Sequence, residues 1–167
     1  MRIAIDARMI KQGSMHGIAR YVFQLLNGLK NGPSRHQFYV FVNRDSPLLN
    51  ESWPAHMELV TAQSPWISLS EQRELPRLLS QLRIDLFHAP SFVAPIVVPC
   101  SMVMTIHDLN HMVLPQFYTL FHQMYYQLVV RRSIKRSRFI LTVSKFSKKE
   151  IVRTLNLDPS KIFVTYN

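Results

Sequence analysis

His107 and Asp108 are the adjacent side chains with the most chemistry to offer in this sequence. They follow the largely apolar run Ser101-Met-Val-Met-Thr-Ile. A neutral imidazole there accepts or donates a proton, or hydrogen-bonds a substrate hydroxyl. Successive strand residues face opposite ways, so both groups reach one ligand only if the strand ends between them. His107-x-x-x-His111 also has a spacing found in zinc sites. Those sites need both imidazoles on one helical face, and this segment reads as a strand running into a loop, so no metal is expected. Asp6 closes another apolar run, Ile3-Ala-Ile5, where it either orients a ligand hydroxyl or holds the following loop. Ser91 and Ser144 lack a G-x-S-x-G elbow, so no serine nucleophile is indicated. Gly13 and Gly17 precede an amphipathic stretch without a G-x-G-x-x-G or Walker lysine motif. Gly17 either eases entry into a helix or lets an anionic group approach the helix start.

The elements that must position these groups alternate. Ile3–Ile5 reads as a strand buried on both faces. Ile18, Tyr21, Val22, Leu25, Leu26 and Leu29 mark one face of a helix. Strands follow at 36–43, 57–62, 85–89, 101–108, 138–144 and 162–166. A helix capped by Ser68 or Ser70 reaches about Leu82, with Ser68-x-x-Glu71 as a capping box, and Pro76 should kink it or shift its start. Pro115 precedes a long helix ending near Ser137. Ser144 or Ser147 caps another, with Ser147-x-x-Glu150 fitting a box. The pattern predicts an α/β fold with a doubly wound, mostly parallel, Rossmann-like sheet. Ligands in such a sheet bind beyond the carboxyl ends of the strands, which selects the Gly13–Gly17 loop, His88, His107-Asp108 and Ser144-Lys145.

The chain has 167 residues, 47% of them hydrophobic, which suits one domain with a real core. Its apolar runs, such as Phe92–Pro99, are too short to cross a bilayer, and Asp6 interrupts any secretory core at the start. Cys100 is the single cysteine, which excludes an intrachain disulfide and suits a cytoplasmic setting. Lys and Arg total 20 against 10 Asp and Glu, a net charge of +10, so an acidic partner is expected. No acidic residue occurs between Leu109 and Lys149.

Five motifs in order carry a family resemblance. They are Ile5-Asp6-Ala7-Arg8 with Gly17-Ile18-Ala19-Arg20-Tyr21, then Asp85-Leu-Phe-His-Ala-Pro, Thr105-Ile-His-Asp-Leu, Leu141-Thr-Val-Ser-Lys-Phe-Ser-Lys and Lys161-Ile-Phe-Val-Thr-Tyr-Asn. Together they resemble the N-terminal domain of the retaining group 1, or family four, glycosyltransferases. The resemblance implies the GT-B architecture, with residues 1–167 as a single acceptor-side domain. A C-terminal donor-binding domain with a Glu-x7-Glu type motif would lie outside this sequence. It implies no bound metal or cofactor, with a nucleotide-sugar as donor substrate. It places Gly17 close to the donor diphosphate and His107 facing the donor sugar, as the catalytic residue. Asp6, Asp108, Ser144 and Lys148 are the further substrate-binding candidates, the last two from the Ser-x-Phe-Ser-Lys stretch. Two positions depart from the pattern: Ala19 stands where many members have a second glycine, and His16 where a glycine is frequent.

The expected function is transfer of a hexose to a glycan or lipid-linked acceptor in cell-envelope polysaccharide synthesis, with the isolated chain inactive. The alternatives are a basic non-catalytic module for anionic surfaces or nucleic acid, and half of a GT-B sugar-nucleotide epimerase. No nucleic-acid motif is present, which disfavours nucleic acid as partner. An apolar cleft surface predicts a homodimer. Phe117, Leu120, Phe121, Met124 and Leu128 form one helical stripe; Tyr118, His122, Tyr125, Val129, Arg132 and Arg136 form another. With Arg131, Arg132, Lys135 and Arg136 as a cationic cluster, two stripes predict peripheral binding at the inner face of a membrane.

Overall fold

The computed structural model describes residues 1–13, 17–109 and 124–166. His16, His111 and the stretch before Met124 where the long helix is expected, including Pro115, lie outside them. The chain alternates strand and helix: β1 Arg2–Asp6, α1 Gly17–Asn31, β2 Gln37–Val42, β3 Met57–Thr61, α2 Glu71–Gln81, β4 Leu86–Ala89 and β5 Ser101–Thr105. A π-helical turn Tyr126–Val130 leads into α3 Arg131–Arg136, followed by β6 Phe139–Thr142, α4 Lys145–Leu155 and β7 Ile162–Val164. The strands form one sheet in the order β3-β2-β1-β4-β5-β6-β7, with every pairing parallel. Strand order reverses beside β1, between its neighbours β2 and β4, and a crevice opens there in a doubly wound sheet.

Alternation along each strand divides the apolar side chains between two layers. On one face Ile5, Val40 and Met57 meet Ala19, Val22 and Leu26 of α1. On the other, Phe41, Phe87, Met104 and Ile140 meet Leu75 and Leu79 of α2, Ile134 of α3 and Ile151 of α4. Each fully buried Leu, Ile or Phe contributes about 1.5–3 kcal/mol. Of the predicted α1 stripe, Val22 and Leu26 are fully buried, while Ile18, Tyr21, Leu25 and Leu29 pack against this layer partly buried.

A charged cluster sits inside this apolar frame. Arg8 is completely buried, as are Asp6 and Glu71. The guanidinium grips Asp6 with Nε (2.9 Å) and Nη2 (2.8 Å), reaches Glu71 with Nη2 (2.8 Å), and donates from Nη1 to the Ser64 carbonyl and hydroxyl and the Pro65 carbonyl. The Tyr125 hydroxyl donates to the other oxygen of Glu71. Asn43 donates to the Arg8 carbonyl at 2.7 Å. Burial works against the Arg8 charge, but Asp6 and Glu71 outweigh it and raise its pKa. Burial raises the Glu71 carboxyl above its usual range, in spite of Arg8 and Tyr125.

Helix starts and phases differ in detail from the sequence expectation. Ser70 stands at the N-cap position of α2 without a side-chain cap bond, and Ser68 Oγ accepts from the Glu71 N–H at 3.4 Å. The return half of that box is not made, because the Glu71 side chain goes to Arg8. Pro76 neither ends α2 nor shifts its start; it lies inside the helix. Ser144 caps α4, accepting from the Ser147 N–H at 3.0 Å. The Ser147–Glu150 box does not form, since Ser147 donates to the His107 carbonyl and Glu150 pairs with Arg153.

The two-stripe reading of the long helix is corrected in its described part. Tyr125, Val129 and Ile134 are buried, whereas Met124 and Leu128 are 61% and 48% exposed, as are Arg132 and Arg136. The π-turn adds length per turn, so the buried line runs from Val129 to Ser133 and not to Arg132.

The Glu71 shift carries a signed prediction. Its carboxyl titrates near 4.5 when unfolded and higher when folded, so its ionisation costs stability as pH rises through that interval. Glu71→Gln keeps the shape without the charge. Denaturant unfolding at pH 4 and pH 7 should show the variant gaining on the native protein at the higher pH. An offset equal at both pH values would contradict the raised pKa.

Candidate functional site

The carboxyl ends of β4, β5 and β6 and the start of α1 converge on His107. The strand β5 ends at Thr105, and the Ile106 N–H still extends the ladder to the Leu141 carbonyl at 2.8 Å. His107 therefore leaves the sheet at its edge. Its Nε2 lies 3.3 Å from the Pro90 carbonyl, which can only accept, so Nε2 carries the proton. In the neutral ring Nδ1 is then the acceptor. Tyr21 of α1 stands edge-on to the imidazole, centroids 4.7 Å apart at 81°. Ser147 of α4 donates to the His107 carbonyl at 3.1 Å. Three elements thus hold one ring: α1 by its face, the β4 loop by a nitrogen, and α4 by the backbone.

Burial lowers the His107 pKa, with the Pro90 hydrogen bond and Asp108 acting against it. His88 lies beside it, bonded through Nε2 to the Thr105 hydroxyl at 2.9 Å. Burial, then His107, brings the His88 pKa down to about 4. Both imidazoles are therefore neutral at physiological pH. Asp108 is exposed beyond His107, so the strand end falls where both residues can be used.

Gly17 is the first residue of α1, and a Cβ there would meet nothing within 4 Å. The turn itself belongs to Gly13, at φ +75°, where a side chain would be strained. Among the described residues the space above Gly17 is open, and the N–H groups of the first turn point out of α1 at this edge. Gly17, Arg20, Tyr21, Gln24, Leu25 and Tyr166 line a cavity of about 350 Å³. Ser144 is half-buried at the start of α4, its Oγ occupied by Ser147.

Two expected ligand groups have partners within the protein. Asp6 spends its carboxylate on Arg8 inside the core, so of its two readings it holds the loop. Lys148 turns its Nζ to the Ile162 carbonyl at 2.6 Å, tying α4 to β7 and not to the crevice. Arg131, Arg132, Lys135 and Arg136 are all exposed on α3, which leads into the amino end of β6. Among the described residues no group of three His, Cys, Asp or Glu could hold a metal ion, and no helix is long and apolar enough to cross a membrane. Sequence reasoning missed Tyr21, Pro90 and Ser147 as the supports of His107. Tyr21 and Pro90 stood within the resembling motifs, but only the fold brings them to one ring.

The profile of Glycosyltransferase Family 4 matches residues 15–167. The chain is 33% identical over 67 residues to the O-antigen chain mannosyltransferase RfbU of Salmonella typhimurium, covering 40% of this chain and 18% of that protein. It is 30% identical over 80 residues to O-antigen chain mannosyltransferase B of Escherichia coli, covering 48% and 21%. Among solved structures, a glycosyltransferase from Rickettsia africae superposes with TM-score 0.60 at 14% identity, over 99% of this chain and 42% of that one. The lipopolysaccharide outer core galactosyltransferase WaaB gives 0.63 at 13% identity, over 100% and 46%. These likenesses show the fold, that of one Rossmann-like half of a GT-B enzyme. The chain spans less than half the length of either solved relative.

The ring supports predict a single tautomer. Long-range nitrogen–proton NMR of His107 should show the Nε2–H form, with titration below 6.5 and His88 titrating near 4. Tyr21→Phe should leave this pattern intact, since the ring edge is kept; Tyr21→Ala should mix tautomers. Because folding lowers both pKa values, stability should fall as pH drops below 6.5. A His107 that titrates at 6.5 or higher would refute the burial argument.

Proposed function

The chain belongs to Glycosyltransferase Family 4, and from that membership we propose that it is the acceptor-side domain of a retaining hexosyltransferase. The donor is a nucleotide-sugar and the acceptor a glycan or lipid-linked saccharide of cell-envelope polysaccharide synthesis. Two O-antigen mannosyltransferases among the relatives support that acceptor class and a hexose donor. The observation that carries the reading is the neutral, three-way supported His107 beside the open start of α1.

The physical case rests on charge. Glycosyl transfer develops positive charge on the sugar ring. An imidazolium beside that ring would oppose the transition state; a neutral imidazole with a free Nδ1 acceptor instead orients a sugar hydroxyl without repulsion. The α1 start, with Gly17, offers N–H groups and a partial positive charge to the leaving diphosphate. Asp108 and Ser144 flank the acceptor side. The donor's remaining contacts belong to a second domain, so residues 1–167 alone should not turn over, because catalysis needs both substrates held together. Tyr166 and Leu25 at the cavity rim suit cover by that domain or by a second copy. The cationic ridge of α3 supports location at the inner face of an anionic membrane.

Transfer from nucleotide-activated mannose or galactose by the whole protein tests the reading. The product's anomeric proton should report retention. His107→Ala should lower kcat about 10²-fold with KM little changed. Hexose interconversion without acceptor would favour the epimerase reading, and salt-sensitive binding to random DNA without transfer would favour a basic module. In vesicle flotation, changing Arg131, Arg132, Lys135 and Arg136 to Gln should weaken binding to anionic vesicles; unchanged binding would remove α3 from the contact.

A further inference from the structure

Arg73 and Arg77 stand four positions apart on one row of α2, and both are exposed. Neither has a carboxylate partner among the described residues. Like charges at this spacing repel, so the pair weakens α2 unless an anion joins it. Glu74, which lies between them in sequence, gives its two oxygens to the Gln63 and Ser64 N–H groups. Together with Leu69, Ser70 and Glu74, the two arginines line a cavity of about 570 Å³, larger than the one beside Gly17. Leu69 is 64% exposed, while the core side of α2 is filled by Leu75 and Leu79.

The loop that carries Leu69 is held in one shape. Arg8 donates to the Ser64 and Pro65 carbonyls, and Ser68 Oγ donates to the Pro65 carbonyl at 2.8 Å. Ile67 takes φ +61°, a left-handed value that a β-branched residue rarely adopts and that only the surrounding bonds can hold. A loop fixed in this way presents Leu69 and Ser70 without an ordering cost on binding. Position connects the cavity with the crevice. Glu71, next to Ser70, bonds Arg8 two residues past β1, so α2 starts beside the carboxyl end of β1. β5, which leads to His107, is two strands from β1 in the sheet order. Strand spacing and layer thickness together put the cavity about 10–20 Å from His107, the reach of about two to four linked sugar rings.

We propose that the Arg73–Arg77 cavity is a remote acceptor subsite, which holds a carboxylate- or phosphate-bearing sugar of an oligosaccharide whose reacting end lies at His107. Guanidinium groups grip either anion through paired N–H donors. Leu69 offers an apolar surface to the C–H face of a sugar ring. The Ser70 hydroxyl, bonded to Ser68 Oγ at 2.9 Å, keeps a lone pair for the ring's hydroxyls. Binding here selects an acceptor by its charge at a distance from the reacting centre, as remote contacts do. The proposal rests on the glycosyltransferase reading for calling the ligand an acceptor, but its test involves no transfer.

Two anionic probes with uncharged counterparts test the site on the whole chain: digalacturonate against its methyl ester, and mannose 6-phosphate against mannose. At least one anionic sugar should shift the Nε–Hε signals of Arg73 and Arg77 in nitrogen–proton NMR, and the one that does names the anion. Its uncharged counterpart should bind about tenfold more weakly, as should the anionic sugar to the double variant Arg73→Gln, Arg77→Gln, with circular dichroism unchanged. Leu69→Asn should weaken the sugar but not inorganic phosphate. Changing Lys145 and Lys149 of α4 to Gln should alter nothing. Arginine signals unmoved by both anionic probes would overturn the proposal, as would undiminished binding of the uncharged sugars or to the double variant. Inorganic phosphate bound as tightly as mannose 6-phosphate would overturn a sugar site built on phosphate, since charge alone would then be read. Binding without any transfer by the whole protein would leave this site standing and remove the glycosyltransferase reading; transfer without binding would do the reverse.

Discussion

The buried guanidinium of Arg8 is the constraint on which the arrangement depends. It joins the end of β1, the Ser64–Pro65 loop, α2 through Glu71 and, through Glu71, Tyr125 of the long helix. Taking an arginine out of water is costly unless each donor finds an acceptor, and here each does. Two carboxylates on one guanidinium would leave a surplus negative charge in the core. The raised Glu71 pKa and the Tyr125 hydroxyl both relieve it. Cutting Arg8 back would strand two carboxylates, a loss of about 3–5 kcal/mol for a buried pair. The cluster contributes geometry more than net stability: it fixes where the first loop leaves β1.

The crevice above it follows the opposite rule. Charge is concentrated inside, at Arg8, and kept off the strand edge, where His88 and His107 are held neutral by burial. Separation matters because an imidazole that titrated near neutrality would change its donor pattern with pH. The Pro90 carbonyl specifies one tautomer and Tyr21 specifies the ring plane. Binding geometry at Nδ1 is thus settled before any ligand arrives, which is the condition for oriented hydrogen bonding in a transition state.

The fold was largely legible in the sequence because strands buried on both faces and helices with one apolar stripe leave different periods. Gly17, Ile18, Tyr21 and Leu25 announced α1, and the run before His107 announced β5. Asp6 and Arg8 were visible as residues but not as a core pair, since their partner Glu71 lies sixty-three positions from Arg8 and was assigned to a capping box. The same long-range demand explains Ser147, which left its own box for the His107 carbonyl. The long helix misled because two apolar stripes competed for the sheet: the core takes the one with Tyr125 and Val129 and leaves Met124 and Leu128 outside. The bond from Lys148 to the Ile162 carbonyl was likewise invisible, because it joins α4 to a strand met later in the chain.

Burial also changes what the net charge means. Asp6 and Glu71 are withdrawn into the core with a single cation, so the surface is more positive than the +10 of the whole chain. Glu74 accepts from the Gln63 and Ser64 N–H groups, Asp85 from Arg2, and Glu150 from Arg153. Acids are thereby committed to local structure, while α3 and, on α4, the row Lys145, Lys149 and Arg153 keep their cations toward solvent. Both rows sit on helices packed with α2 on one face of the sheet, so their positive charge gathers on that face. An anionic substrate or surface approaching from that side meets the field first and the neutral imidazoles last, which separates long-range attraction from the short-range geometry of the reacting centre.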